Sequence, residues 1–301
     1  MSVLAHAGAS PWAWHAHPDV WALVAALGLG YWLALARIGP SHVEPGEKVA
    51  TRLQVVSFGL GVVALWLHAD YPIHDLGEGY LFSVHMFQHI GFTLIAAPLL
   101  LLGLPPWLVR WLVQPRAMRW LVSKLARPLP AAVVFNLVIV LTHWPVVVDT
   151  SLRYHGVHLV VHAVVFTSAV LMWFPVLNRA PELPTMGYPA RMVYLFLQSV
   201  IPTVPASFLT FGHGVMYRFY AEAPRAFSFS AIDDQQLAGA LMKVYGGALL
   251  WVAIGVIFFR WYAGEQRDRA PDVLTWDDVE RELRRTEPAG PPRRTGLSGR
   301  R

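Results

Sequence analysis

The sequence predicts an all-α membrane protein, a polytopic bundle of seven transmembrane helices with its N-terminus outside and its C-terminus inside. Hydrophobic residues make up 55% of the chain and charged residues 14%, whereas soluble domains carry about 25% charged residues. Repeated apolar stretches reach about 20 residues, the length that crosses about 30 Å of hydrocarbon. So few charges could not cover a globular surface, which makes a lipid bilayer the expected surroundings.

Helix-ending residues separate the predicted spans. Gly39-Pro40 follows the first span, Pro72 follows the second, and Pro105-Pro106 ends the third, because proline lacks the N–H that continues a helix. More prolines fill the loop before the sixth span. The predicted spans are residues 20–36, 53–68, 80–103, 131–149, 157–175, 192–212 and 238–260.

Two segments lie outside the spans. The first predicts a short amphipathic helix on the inner membrane surface, with the residues Trp107, Leu108, Arg110, Trp111, Leu112, Arg116 and Arg119. The second begins at Glu265, where the chain becomes polar and rich in Pro and Arg, and predicts disorder. The predicted domains are a membrane domain at 1–262 and a cytoplasmic tail at 263–301.

Loop charges predict the orientation. The connections at 37–52, 104–130 and 176–191, together with the tail, hold 20 Lys and Arg residues, and the opposite side holds 3. Basic loops stay in the cytoplasm, so the predicted topology places the N-terminus outside. The basic residues are accounted for by topology, and no nucleic-acid partner is expected.

The composition also excludes several kinds of site. The chain has no cysteine, which excludes disulfides, thiolate metal sites and iron–sulfur clusters. No Lys or Arg occurs in the first 36 residues, so the basic start of a cleavable signal peptide is missing and the N-terminus is expected to remain attached. A soft metal would have to use histidine and methionine.

The histidines are distributed unevenly. Under the predicted orientation only His42 of the 13 histidines faces inside. The others lie on or near the outer face: His6, His15, His17, His68, His74, His85, His89, His143, His155, His158, His162 and His213. Histidine is the commonest side-chain metal ligand and also binds haem iron. This concentration predicts a metal or haem site that faces the extracytoplasmic space.

Two spans carry histidines at helical spacing. His85 and His89 open the third span four residues apart, and His155, His158 and His162 open the fifth at spacings of three and four. Such spacings place side chains on one helix face, so the two stripes could converge on one ion. Intramembrane polar residues are costly and indicate function; the alternative is hydrogen bonding between helices.

Other residues are secondary candidates. His143 and His213 lie near the outer ends of the fourth and sixth spans, and Asp233 and Asp234 are predicted to hold histidine N–H groups from outside the ligand shell. The thioethers of Met86 and Met216 could ligate Cu(I), although packing is the more common role of such residues.

Polar residues elsewhere have simpler interpretations. The shallow histidines His6, His15, His17, His68 and His74 are interpreted as interfacial or loop residues. Asn136 and Gln198 predict a hydrogen bond between helices. Lys243 is expected either to pair with Asp233 or Asp234 or to extend to the surface.

Several motifs carry a family resemblance. The first comprises His85, His89, Ala97, Pro98, Leu99, Leu100, Gly103 and Pro105. Others are the segment DQQLAG at 234–239, His-Trp-Pro at 143–145 and the opening HAGASPWAWHAHPDVW. Over most of residues 1–262, this combination resembles CtaG, a family of polytopic bacterial proteins that assemble cytochrome c oxidase.

The resemblance implies a multi-pass protein of the bacterial plasma membrane that helps to make haem–copper oxidase and is not an enzyme. It implies delivery or insertion of copper, with oxidase subunits and the lipid bilayer as partners. Since the chain has no cysteine, thiolate transfer is excluded and copper would be bound by histidine and methionine.

Three alternatives remain. A membrane redox protein could bind haem through histidine pairs, and a Soret band would identify it. An oxidase or hydroxylase of the histidine-box type would need a larger cluster, usually facing the cytoplasm. An ion transporter would need polar residues through the whole membrane depth, and the inner halves of these spans hold almost none.

Overall fold

The computed structural model describes residues 10–180, 182–268 and 276–286, and all regular structure in these ranges is helical. The α-helices are α1 Pro18–Leu33, α2 Arg52–Ala69, α3 Ile73–Gly79, α4 Phe82–Ile90, α5 Ala97–Gly103, α6 Pro106–Leu112, α7 Arg116–Leu125, α8 Pro128–Thr142, α9 Pro145–Arg153, α10 His155–Leu177, α11 Tyr188–Val200, α12 Thr203–Phe211, α13 Arg218–Glu222, α14 Ala231–Ala240, α15 Gly246–Asp268 and α16 Trp276–Thr286. Three π-helical turns interrupt the helices. Ala34–Ile38 joins α1 to a 3₁₀ turn at Gly39–Ser41, Gly91–Ala96 joins α4 to α5, and Leu241–Tyr245 joins α14 to α15.

The prediction of a polytopic helical membrane protein is confirmed. Six segments of the described chain are long and apolar enough to span a membrane: Pro18–Ser41, Arg52–Gly79, Phe82–Gly103, His155–Leu177, Tyr188–Phe211 and Ala231–Arg267. A seventh span exists if α7 and α8, which meet at a bend of 87°, are taken as one.

The predicted fourth span, 131–149, is wrong at its far end. Helix α8 ends at Thr142, and α9 starts separately at Pro145, because a proline ring cannot continue the hydrogen-bonded helix. The Nδ1 atom of His143 lies 2.7 Å from the carbonyl oxygen of Ile139, so the imidazole partners one of the carbonyls that a helix end leaves free.

The connection at 69–79 is a helix and not a loop. After Pro72, α3 forms a short helix that carries His74, Asp75 and Glu78. The hydroxyl of Tyr220 donates a hydrogen bond to the carbonyl oxygen of Gly77, at 2.7 Å. This short helix proves important for the site.

The predicted surface helix is divided and partly buried. Val113, Gln114 and Pro115 separate α6 from α7. Trp107 and Leu108 pack into the core beside Tyr31 and Phe58, while Trp111 and Leu112 are exposed. One face of α6 therefore packs in the bundle, and the other face is exposed at its surface.

Helices α2 and α5 pack closely because two glycines lack side chains. A Cβ atom on Gly103 would lie 2.5 Å from the Cβ of Phe58, and one on Gly61 would lie 2.8 Å from Leu100. Small residues permit such close approach in membrane bundles. A polar contact also forms as predicted, since Asn136 Nδ2 donates to Gln198 Oε1 at 2.8 Å.

The chain divides into two compact units, 1–258 and 259–301. Within the second unit, the end of α15, residues 265–268, and α16 fall in the tail for which the sequence predicts disorder, so that prediction is wrong for 265–268 and 276–286. The helix begins with Asp277 and Asp278 and ends with Arg284 and Arg285, a charge order that complements the helix dipole. The remainder of the predicted disordered tail, 269–275 and 287–301, lies outside the described residues.

Candidate metal centre

Histidines gather at one end of the bundle, which we call the histidine end. Here α3, the first turns of α4 and α10, and the end of α8 meet. Of the twelve histidines predicted to share one side, His6 lies outside the described residues. His42 lies at the opposite end, with its ring 5.6 Å from that of Trp107. The one-sided distribution is therefore a property of the folded bundle.

Asp234, on α14, holds the first turn of α4 in place. Its carboxylate accepts hydrogen bonds from the backbone N–H groups of Phe82 and Ser83, at 2.7 and 3.0 Å, and from the Ser83 hydroxyl. These are the orphan donors of a helix N-terminus. The sequence-based prediction that Asp234 supports the histidines is corrected in detail: it caps the helix that carries them and bonds to none of the rings.

Three histidines form a compact group that we call the trihistidine site: His85 and His89 from α4 and His162 from α10. One ring nitrogen from each lies within 4.8 Å of the others. The ring centroids of His85 and His89 are 4.5 Å apart, and those of His89 and His162 are 4.9 Å apart. Side chains at i and i+4 on α4 thus meet the inward face of α10, as the spacing predicts.

The ring nitrogens of this site are buried and lack hydrogen-bond partners. They include Nδ1 of His85, both ring nitrogens of His89 and Nε2 of His162. Burying a polar atom without a partner costs about 1–3 kcal/mol. One ring nitrogen from each of the three side chains could be satisfied by a single metal ion.

A second group lies next to the first, and we call it the carboxylate site. It comprises His74 and Glu78 of α3 and His158 of α10, with ligand atoms within 4.8 Å of one another. Glu78 Oε1 lies 3.0 Å from His74 Nε2 and 2.6 Å from His158 Nε2. The rings of His158 and His162 are 3.9 Å apart, so the two sites are contiguous.

A cavity of about 550 Å³, the N-terminal cavity, opens onto the carboxylate site. Its walls include His74 and Glu78, together with Asp75, which lies 3.3 Å from His15 Nδ1 and 3.0 Å from His17 Nε2. His15 and His17 lie in the loop before α1, in keeping with their interpretation as interfacial or loop residues, and His74 lies on α3. Each of the three also lies against a carboxylate in this wall.

A smaller cavity of about 70 Å³, the His89 cavity, lies beside the trihistidine site. Met86, His89 and His143 line it along with Gln198. His143 contacts His89 with ring centroids 6.2 Å apart. Met86 is 2% exposed and packs with Phe82 and other core residues, so its side chain contributes to packing here.

Several predicted site residues lie apart from the cluster. His155, at the first turn of α10, is exposed, with its Nε2 atom 3.8 Å from Asp19. His213 and Met216 are exposed in the segment after α12. Asp233 bonds to Ser230 at the start of its own helix. Lys243 lies over the ring of Phe211, 4.6 Å from its centroid, and not beside Asp233 or Asp234.

Two residues beside the sites are absent from the sequence-based candidates. Glu78 lies between the second and third predicted spans, and Gln88 lies in the third, with its Nε2 atom 3.2 Å from His74 Nδ1. His68, interpreted as interfacial, has its ring buried against Gly91, where a Cβ would lie 2.0 Å from it. The i, i+4 spacing of His74 and Glu78 was the available signal.

Tyr220 closes the histidine end. It is 2% exposed, and its ring lies 6.4 Å from that of His85. Burial, with the negative charge of Glu78 as a second cause, raises the pKa of Tyr220 well above its usual value. The phenol therefore stays protonated and continues to donate to α3.

Comparisons with known proteins bear on this arrangement. A family model described as "Cytochrome c oxidase caa3 assembly factor (Caa3_CtaG)" matches residues 29–264. Uncharacterized proteins of Mycobacterium bovis and Mycobacterium tuberculosis are each 26% identical over 208 residues, which cover 62% of this chain and 31% of the relative. The chain thus spans about a third of the length of these curated relatives. No solved structure matches it significantly.

Proposed function

Because this chain belongs to the cytochrome c oxidase caa3 assembly factor family, we propose that it supports oxidase assembly by binding copper at the trihistidine site and passing it on. In this proposal copper is the cargo that the protein passes on, and not a resident cofactor. The observation that carries the proposal is the convergence of unpartnered nitrogens from His85, His89 and His162 within 4.8 Å. Oxidase subunits in the bacterial plasma membrane are the proposed recipients.

The ligand set favours monovalent copper. Three neutral imidazoles add no charge, so bound Cu(I) leaves a single positive charge in a buried, low-dielectric site. A divalent ion would leave twice that charge and a larger desolvation cost. Imidazole is a suitable copper ligand, and the chain offers no thiolate to compete with it.

We take the two cavities as the ends of a route for exchange. His74 and Glu78 line the N-terminal cavity, and His89 and His143 line the His89 cavity. A ligand from a docked oxidase subunit could replace one imidazole at a time. A chain of histidines in ring contact, His158 to His162 to His89 to His143, lines this route.

The geometry favours an ion over the haem alternative. A bis-histidine haem needs a flat slot between two rings. Here the rings of the cluster contact one another, and the cavity beside His89 measures about 70 Å³, too small for a porphyrin.

The first test is metal analysis and an optical spectrum of detergent-purified protein, with wild type beside His85→Ala/His89→Ala. About one Cu(I) per chain is expected in wild type and much less in the double variant, because two of three ligands are lost. His155→Ala, an exposed histidine on the same helix as His162, is the matched control and should bind copper normally.

Cells carrying the same variants extend the test. The double variant should lower the copper content of the oxidase while its own membrane level and gel-filtration profile remain normal. Normal oxidase copper in that variant, or equal copper binding by both purified proteins, would reject the proposal. A Soret band in wild type would move the protein to the haem class.

A further inference from the structure

We infer that the carboxylate site, His74, Glu78 and His158, is a second metal site that takes a divalent first-row transition-metal ion. Two imidazoles and one carboxylate converge there, with ligand atoms within 4.8 Å of one another. The binding site stands independently of the proposed copper function.

Burial distinguishes this group from a surface ion pair. The side chains of His74, Glu78 and His158 are 12%, 8% and 3% exposed. Both imidazoles lie within hydrogen-bond distance of one oxygen, Glu78 Oε1. The angles nevertheless do not form hydrogen bonds, since Oε1 and both ring nitrogens of His158 lack partners. A cation held between these groups would stabilise the buried carboxylate and use the free ring nitrogens.

No other cation is close. The described residues that line the N-terminal cavity include Asp19, Asp75 and Glu78 and four histidines, but neither lysine nor arginine. His15 and His17 are already directed at Asp75. The field in the cavity therefore attracts positive ions toward the carboxylate site.

The neighbouring amide supports ligation by His74. Gln88 Nε2 lies 3.2 Å from His74 Nδ1, while Gln88 Oε1 is buried without a partner. Amide oxygen and nitrogen exchange places by a simple flip. In the flipped state Oε1 accepts the Nδ1–H of His74, which leaves Nε2 free for a metal and is the usual outer support of a ligating histidine.

The charge of the site selects the ion. One carboxylate and two neutral imidazoles carry a single negative charge, so a divalent ion leaves a net charge of one, as a monovalent ion does in the trihistidine site. Two histidines with a carboxylate also form a well-known ligand set for Zn²⁺ and Fe²⁺. The two adjacent sites therefore differ in the oxidation state and hardness of the ion they prefer.

The experiment uses Co²⁺ as the probe, because its d–d absorption reports ligation. The full-length protein in detergent is titrated with Co²⁺ and, separately, with Cu(I) under reducing conditions. The variants are Glu78→Gln, His89→Ala and the matched control Asp75→Asn, which alters the neighbouring carboxylate of α3. His89 contacts His85, His143 and His162 but has no ring contact with His158.

We expect Glu78→Gln to weaken Co²⁺ binding at least tenfold and to leave Cu(I) binding unchanged. His89→Ala should do the reverse, and Asp75→Asn, which removes a charge but no ligand, should weaken Co²⁺ binding far less than Glu78→Gln and leave Cu(I) binding unchanged. Retained Cu(I) binding also shows that Glu78→Gln is folded. Absence of Co²⁺ binding in wild type, equal Co²⁺ affinity in Glu78→Gln, or an equal loss in Asp75→Asn would overturn the second site. If Co²⁺ binds as expected but wild type does not bind Cu(I), or His89→Ala binds Cu(I) as wild type does, the proposed copper function is rejected and the second site stands.

Discussion

Asp234 shows how one residue controls a distant pair. It is 1% exposed and accepts three hydrogen bonds at the start of α4, one turn before His85. Without the carboxylate, two backbone N–H groups and a hydroxyl would be buried unpaired. The orientation of His85 and His89 thus depends on α14, more than 140 residues along the chain.

Asp234→Ala should lower the free energy of unfolding by about 1–3 kcal/mol, since it leaves buried donors unsatisfied. Thermal unfolding in detergent measures the change. The control is Asp233→Ala at the exposed neighbouring position. It loses only an exposed hydrogen bond from the Ser230 hydroxyl, and the Ser230 cap on the backbone N–H of residue 233 remains. Equal losses in the two variants would show that Asp234 does not cap α4.

At the scale of the element, the third span is not a uniform helix. A π-helical turn at Gly91–Ala96 follows His89 directly and precedes Pro98. The turn exposes the carbonyl oxygen of Thr93, which accepts the indole N–H of Trp173 from α10 at 2.9 Å. Such turns recur at functional sites, and this one anchors the histidine-bearing helices to each other.

The contact between α2 and α5 gives an element-scale prediction. In Gly103→Ala the new Cβ would meet Phe58 at 2.5 Å, so the helices must separate, at a cost of about 1–3 kcal/mol in the free energy of unfolding. In Gly255→Ala of α15 the new Cβ has no neighbour within 4 Å. Unfolding measurements in detergent should show a loss of stability in Gly103→Ala and none in Gly255→Ala. Unchanged stability in Gly103→Ala would contradict the close packing of α2 and α5.

At the scale of the whole molecule, the histidine end is assembled from segments that are remote in sequence. The N-terminal segment contributes His15 and His17, α3 contributes Glu78, and α8 leads to His143. Loop charge predicts that this end faces outward. An outward site would receive metal from outside the cytoplasm.

The lack of cysteine makes that topology testable. Glu44→Cys and Ala226→Cys introduce single thiols at exposed positions in opposite connections. In intact cells a membrane-impermeant maleimide should label Ala226→Cys only, and after lysis it should label both. Labelling of Glu44→Cys in intact cells would reverse the orientation and place the metal sites on the cytoplasmic side.

The sequence by itself determined the features that depend on interactions within one segment of the chain. Apolar length identified the membrane helices, and i, i+4 spacing selected His85, His89, His158 and His162, because hydropathy and helical geometry act within one segment. Only the tertiary structure decided which histidines meet. His162 lies with the histidines of α4, and His158 lies against Glu78. His155 lies apart, near Asp19, and Asp234 caps α4. Those outcomes depend on the rotation and depth of one helix relative to another, which are set by contacts between segments far apart in the chain.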